Sequence, residues 1–179
     1  MVRFVKRLVW VILTVLIGAK GVGQPTPSHD RGYYEEPFQF TLSGIQPGET
    51  ILFTTDGSLP SETDPRTQRY QGPVSVDRSV VGRYRGTQAE EESTPVQTRS
   101  FFFLKSILSQ DEQPRGFPRS WRNQNSWYAM NREVVRNPNH EGDWKQAFDA
   151  IPSLSIVTPM ENLFGPLGIY DFADRSGKS

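Results

Sequence analysis

Apolar and polar positions alternate in short runs between Phe38 and Phe103, with turn residues separating the runs. Phe38, Phe40 and Leu42 alternate with Gln39, Thr41 and Ser43, the period of a half-buried strand. Pro47-Gly48 marks a turn, and TILFTTDG follows as a second strand finished by Thr54 and Thr55. Asp56-Gly57 is predicted to turn that strand as a hairpin, because both residues tolerate left-handed backbone. A loop through Ser58, Pro60 and Pro65 leads to Tyr70-Gln71-Gly72-Pro73 and the strand VSV. SVVGRYR is a further strand candidate interrupted by Gly82, GTQAEEES reads as an acidic surface loop, and TPVQTRSFFFL closes the set. Short strands at close spacing with turn signals between them predict a small antiparallel immunoglobulin- or fibronectin-like β-sandwich.

The pattern changes after Leu104. LKSILSQ predicts one or two helical turns, and DEQPRGFPRSWRNQNSWYAM is polar and irregular. A short helix is expected at NREVVRN with Asn131 as its cap. Trp144, Ala147, Phe148 and Ile151 recur at helical spacing behind Asp143. SLSIVT alternates as a strand, and PMENLFG reads as a helical turn opened by Pro159 and closed by Gly165. The expected organisation is a mainly β module over 24–104 and a partly helical linker over 105–179.

The first 23 residues differ from everything after them. Arg3, Lys6 and Arg7 precede an apolar run from Leu8 to Gly18, and small residues follow. That layout predicts a secretory signal peptide over 1–23, cut after Gly21 or Gly23, and hence an exported protein (secreted, periplasmic or at the cell surface). The run is shorter than the roughly 20 apolar residues a membrane span needs, although a single uncleaved anchor is the alternative. The only membrane contact expected is through this segment. Gln24 to Ser28, QPTPS, reads as a Pro-rich spacer behind it.

Composition narrows the function. The 179 residues carry 20 basic and 20 acidic side chains. Four of the basic ones and none of the acids lie in the first 23 residues, so the remainder is net acidic by four. A nucleic-acid partner held by phosphate neutralisation is not expected. There is no cysteine, which excludes disulfides, thiolate metal sites and a lipoprotein anchor. The domain must hold together by burial, for which 11 Phe, 6 Tyr and 4 Trp supply large side chains.

SHDRGYYEEPFQFTLSG, ILFTTDGSLPSETDP, YQGPVSVDRSVVGRYR and TRSFFFL together resemble the chitobiase/beta-hexosaminidase C-terminal-like module, also called fibronectin-type-III-associated or family-29-D-like. The signature lies in Thr54, Thr55, Asp56, Gly57, Ser58 and Pro60, then Tyr70, Gly72 and Pro73, and the resemblance covers about residues 28–104. It implies a non-catalytic accessory β-sandwich. GFPRSW, AMNREVVRNP and IPSLSIVTPMENLFGPLGIY resemble the linker before a spore-coat-protein-H-type kinase-like domain in large secreted bacterial proteins. By that resemblance the chain is a module and linker, a truncation or a fragment of such a protein. GRYRGTQAEEE is bulkier and more charged than the small-residue strand of that module, which predicts a short or displaced strand near Arg83.

Few residues carry chemistry. Asp56, Glu62 and Asp64 are weak candidates for a calcium ion, since hard cations take several carboxylate oxygens, but their spacing fits no dedicated loop. His29 and His140 stand apart from any zinc-ligand spacing. No nucleophile elbow, phosphate loop or paired catalytic carboxylates appear, so neither catalysis nor a cofactor is expected. The aromatics Tyr33, Tyr34, Trp121, Trp127 and Tyr128 sit in polar stretches and are the candidate carbohydrate-binding residues. An apolar ring face suits a sugar ring; the alternative is that these rings cover the seam between sandwich and linker. The expected role is spacing, docking or weak attachment to polysaccharide or a cell-surface protein. The alternatives are the N-terminal piece of a kinase-like or hydrolytic enzyme and a cell-surface adhesion part.

Overall fold

The computed structural model describes residues 22–88, 92–121 and 124–170, so the predicted signal peptide falls almost wholly outside the described residues. In chain order the strands are β1 (Thr26–Pro27), β2 (Gly32–Tyr34), β3 (Phe38–Phe40), β4 (Leu42–Ser43), β5 (Thr50–Thr54), β6 (Gln68–Arg69), β7 (Val74–Val76), β8 (Val80–Gln88), β9 (Glu92–Ser93) and β10 (Gln97–Phe103). Helix α1 (Leu104–Leu108), the hairpin of β11 (Ser120–Trp121) and β12 (Gln124–Asn125), and helices α2 (Arg132–Val135), α3 (Trp144–Asp149) and α4 (Met160–Phe164) follow. The protein is mainly β with a partly helical C-terminal segment, as the hydrophobic pattern predicts.

The main sheet runs β2-β10-β8-β5-β6, with β9 continuing from β8. Its pairs are antiparallel except β2 on β10, which is parallel. Two small antiparallel pairs, β3–β7 and β1–β4, close over one face. Between the layers Phe40, Leu42, Ile51, Phe53, Val76, Tyr84, Phe101 and Phe103 form one buried cluster. Phe101 is at its centre, with the rings of Phe40, Phe38 and Tyr34 at 5.2, 5.3 and 5.8 Å. These residues all fall on one side of the period-2 alternation, so the sequence pattern and the core are the same fact.

Several elements differ from expectation. QPTPS is no spacer: Pro25 is fully buried, its carbonyl accepts from Gln97 Nε2 at 2.6 Å, and Thr26–Pro27 pair with β4. An edge strand loses little by containing prolines, because their missing N–H groups need no ladder partner there. The strand near Arg83 is neither short nor displaced; β8 is the longest strand, continuous through Gly82 and lying between β10 and β5. Asp56-Gly57 does not close a tight hairpin. β5 returns as β6 only at Gln68, while Gly57 donates to the Val81 carbonyl at 3.0 Å and Asp56 bridges to Val81.

SLSIVT is extended but makes no ladder. Ser153 bonds Tyr33 of β2, Ser155 bonds Ser100 of β10, and Val157 lies beside Val81 of β8 at Gly57. The segment therefore crosses the open face of the main sheet instead of lining its edge, and its side chains, not its backbone, make the contacts. Asn131 caps α2 as predicted, accepting from the Glu133 N–H at 2.8 Å. Asp143 is the N-cap of α3 through its carbonyl, which accepts from the Ala147 N–H at 2.9 Å, but its side chain makes no capping bond.

Candidate functional site

The turn motif is a structural knot. Thr54 is wholly buried, and its hydroxyl donates to the Ser58 carbonyl at 2.6 Å. Asp56 accepts from the Ser58 N–H at 3.0 Å and from the Ser58 hydroxyl, closing a side-chain turn. Gly57 holds φ +80, the left-handed region where a Cβ is strained, and Arg83 Nη1 donates to its carbonyl at 3.2 Å. Pro60 is buried. The Tyr70 hydroxyl accepts from the Leu42 N–H at 3.1 Å, tying the two layers together, while Gly72 and Pro73 lead into β7. Thr55 is exposed just past the end of β5.

The three carboxylates near this knot are already engaged. Arg66 donates to Asp64 through its backbone N–H, Nε and Nη2, and its Nη1 lies 3.8 Å from Asp56. Glu62 accepts from Arg69 Nη2 at 2.5 Å. Hydrogen bonds from Ser58 hold the Asp56 carboxyl below the ordinary carboxylate range, and those from Arg66 do the same for Asp64. Among the described residues no three His, Cys, Asp or Glu side chains gather as a metal-ligand set. Asp56, Glu62 and Asp64 serve as arginine and backbone partners.

The candidate aromatics divide into three places. Tyr34 points into the sandwich against Phe38 and Phe103; its hydroxyl donates to the Asp30 carbonyl at 2.5 Å, and burial raises its pKa. Tyr33 points the other way, as strand alternation requires. It packs on Phe102 and Phe148 at 5.8 and 4.9 Å and reaches Ser153 at 2.8 Å, so it covers the seam between sheet and C-terminal segment.

Trp127 and Tyr128 lie elsewhere, on a groove of about 600 Å³. The backbone of Trp121 pairs with Gln124 in the hairpin beside it, and the Trp121 side chain lies outside the described residues.

That groove has two walls from distant stretches. The first is 118–128, fixed by the β11–β12 hairpin, by the Tyr128 hydroxyl donating to the Pro118 carbonyl at 2.8 Å, and by Gln113 Nε2 donating to the Ser126 carbonyl at 2.6 Å. The second is 156–170, where Ile169 and Tyr170 fold back on α4 through backbone bonds to Asn162 and Leu163. Phe117 joins them, edge-on to Tyr128 at 5.0 Å and to Phe164 at 6.1 Å. Phe164 stacks on Tyr170 at 5.3 Å.

Trp127 is 65% exposed on the rim, and Ser120, Gln124, Asn125 and Ser126 supply hydroxyls and amides. Aromatic faces beside amide and hydroxyl groups form an amphipathic cleft of the size small ligands occupy. The second wall was missed from sequence. Its only signal is the aromatic and aliphatic content of the Gly- and Pro-rich stretch ENLFGPLGIY.

Residues 29–98 match the family model of the chitobiase/beta-hexosaminidase C-terminal domain. This C-terminal domain is an accessory domain associated with carbohydrate-active enzymes and is not catalytic by itself. The match to it spans the turn knot, Tyr33 and Tyr34, and stops before the groove of Trp127 and Tyr128. No curated protein and no solved structure matches the chain.

Proposed function

We propose that this protein is a non-catalytic, exported accessory module that attaches weakly to polysaccharide at a surface. The observation that carries this reading is the groove lined by exposed Trp127 and half-buried Tyr128, by Phe164 and Tyr170, and by Gln124, Asn125 and Ser126. Sugar rings present an apolar face and a polar edge, and such a cleft meets both. The match to an accessory domain of carbohydrate-active enzymes supports the same class of ligand. The signal-like start supports export. A pull-down of the full chain on insoluble polysaccharides tests the reading. Retention that Trp127→Ala abolishes is expected, and equal retention of the two proteins on every polysaccharide counts against it.

A second reading is favoured by the apolar side chains of the C-terminal segment. Ile151, Leu154, Leu167 and Ile169, all in the C-terminal segment, are 70, 86, 93 and 68% exposed. Here they dock on a further domain of a larger secreted protein, kinase-like of the spore-coat-protein-H type or hydrolytic. An open reading frame continuing past the codon for Ser179 into acidic, metal-binding motifs supports this second reading, and a stop codon followed by intergenic sequence removes it. An adhesion role through cell-surface protein contacts would use the same exposed side chains.

A further inference from the structure

Residues 153–157 use their two sides differently. The hydroxyls of Ser153 and Ser155 reach those of Tyr33 and Ser100 at 2.8 Å each, and Val157 follows at the same spacing beside Val81. Leu154 and Ile156, at the alternate positions, are exposed, and Ile156 lines the Trp127 groove. Apolar burial alone would favour the register one residue away, with leucine and isoleucine on the sheet. The two hydroxyl pairs select the register that leaves Ile156 in the groove wall.

The rest of that wall follows within a few residues. Thr158 Oγ1 accepts from Asn162 Nδ2 at 2.8 Å, which sets α4 directly behind the segment. Ile169 and Tyr170 then donate from their N–H groups to the Asn162 and Leu163 carbonyls. The first wall hangs from the sandwich by another route. Gln110, just past α1, donates to the Tyr128 carbonyl at 2.7 Å, and the Tyr128 N–H donates to the Glu112 carbonyl at 3.1 Å. Phe117 has a ring contact with Tyr128 of one wall and Phe164 of the other.

Resting on the carbohydrate reading above, we propose that Ser100 and Tyr33 are positioning residues for this groove, whose lining includes neither of them. By fixing the register of 153–157 they set the separation of the two walls. A sugar chain lying between the walls binds best with both in place, so it favours the docked segment. By linkage, docking of the segment tightens the sugar to the same degree.

Titration of the full chain with a neutral β-glucan oligosaccharide, read at the Trp127 indole N–H and in the amide exchange of 153–157, tests this. In the natural protein, saturation should slow exchange across 153–157; unchanged exchange there overturns the coupling. The double variant Tyr33→Phe with Ser100→Ala should speed that exchange and bind about fivefold more weakly, and Ser100→Thr, which keeps the hydroxyl, should bind like the natural protein. Equal affinity in the double variant with its segment released overturns the positioning role and leaves carbohydrate attachment standing. Unchanged exchange in the double variant overturns the role of the hydroxyl pairs. If the natural protein does not bind, the carbohydrate reading falls, and the positioning role is read without ligand from the nuclear Overhauser contact between Phe117 and Phe164. Loss of that contact in the double variant supports a wall set by the sheet, and its retention with the segment released overturns it.

Discussion

The hydroxyl oxygens of Ser100 and Ser155 lie 2.8 Å apart, joining a strand of the sandwich to the C-terminal segment. Ser100 is only 4% exposed, so its hydroxyl has few other partners. With Ser153 on Tyr33 and Val157 beside Val81, this bond lays 153–157 across β2, β10 and β8. The next residue, Ile156, is part of the groove wall. Attachment of the segment to the sheet and the shape of the groove are therefore mechanically linked.

Ser100→Ala should lower stability by about 0.5–1.5 kcal/mol, the net worth of one hydrogen bond. The larger effect should be local: amide hydrogen exchange across 153–157 accelerates while β8 and β10 keep their protection. Unchanged exchange in 153–157 would mean that the hydroxyl pair does not hold the segment.

Gly57→Val should destabilise the fold by roughly 1–2 kcal/mol through its φ of +80. The space is also taken, since a Cβ there would stand 3.4 Å from Val157 Cγ1 and 3.6 Å from Val81. Denaturant melts of the two proteins check this; an unchanged midpoint counts against the left-handed turn.

Acid should loosen the turn knot. Asp56 and Asp64 hold their protons less tightly when folded, through Ser58 and Arg66, than in the unfolded chain, where a carboxyl titrates near pH 3.9. The unfolded state thus binds more protons in acid, and the stability these groups contribute is present above the unfolded value and lost as pH falls through the folded one. Thermal melting of the natural protein against Asp56→Asn and Asp64→Asn should show a gap at neutral pH that narrows as pH falls below the ordinary carboxylate range. A gap that persists in acid would show that charge is not its source.

Much of the sandwich was legible because Phe38, Phe40, Phe53 and Phe101 carry period-2 alternation into a single core. The elements that escaped are those whose partners decide them. β2 is three residues in the polar stretch before Phe38, and it becomes a strand only by lying parallel on Phe101–Phe103. β8 looked broken at Gly82 and too charged, yet Arg83 and Arg85 point to one face while Tyr84 enters the core and Val80 packs against it. SLSIVT has strand alternation, but its side chains hold it on the face of the main sheet through Tyr33 and Ser100 instead of pairing it at an edge. Of the candidate site, Trp127 and Tyr128 were visible as aromatics in polar sequence. Phe164, Ile169 and Tyr170 were not, because nothing local says that a stretch some 40 residues on returns to face them.

Two-dimensional NMR of the tryptophan indole N–H groups, titrated with a neutral β-glucan oligosaccharide, tests the central claim most directly. The Trp127 resonance, assigned by its loss in Trp127→Phe, should shift and saturate while that of Trp144, half-buried against His140, stays in place. An immobile Trp127 signal at saturating oligosaccharide, or a shift confined to Trp144, would contradict carbohydrate attachment through this groove.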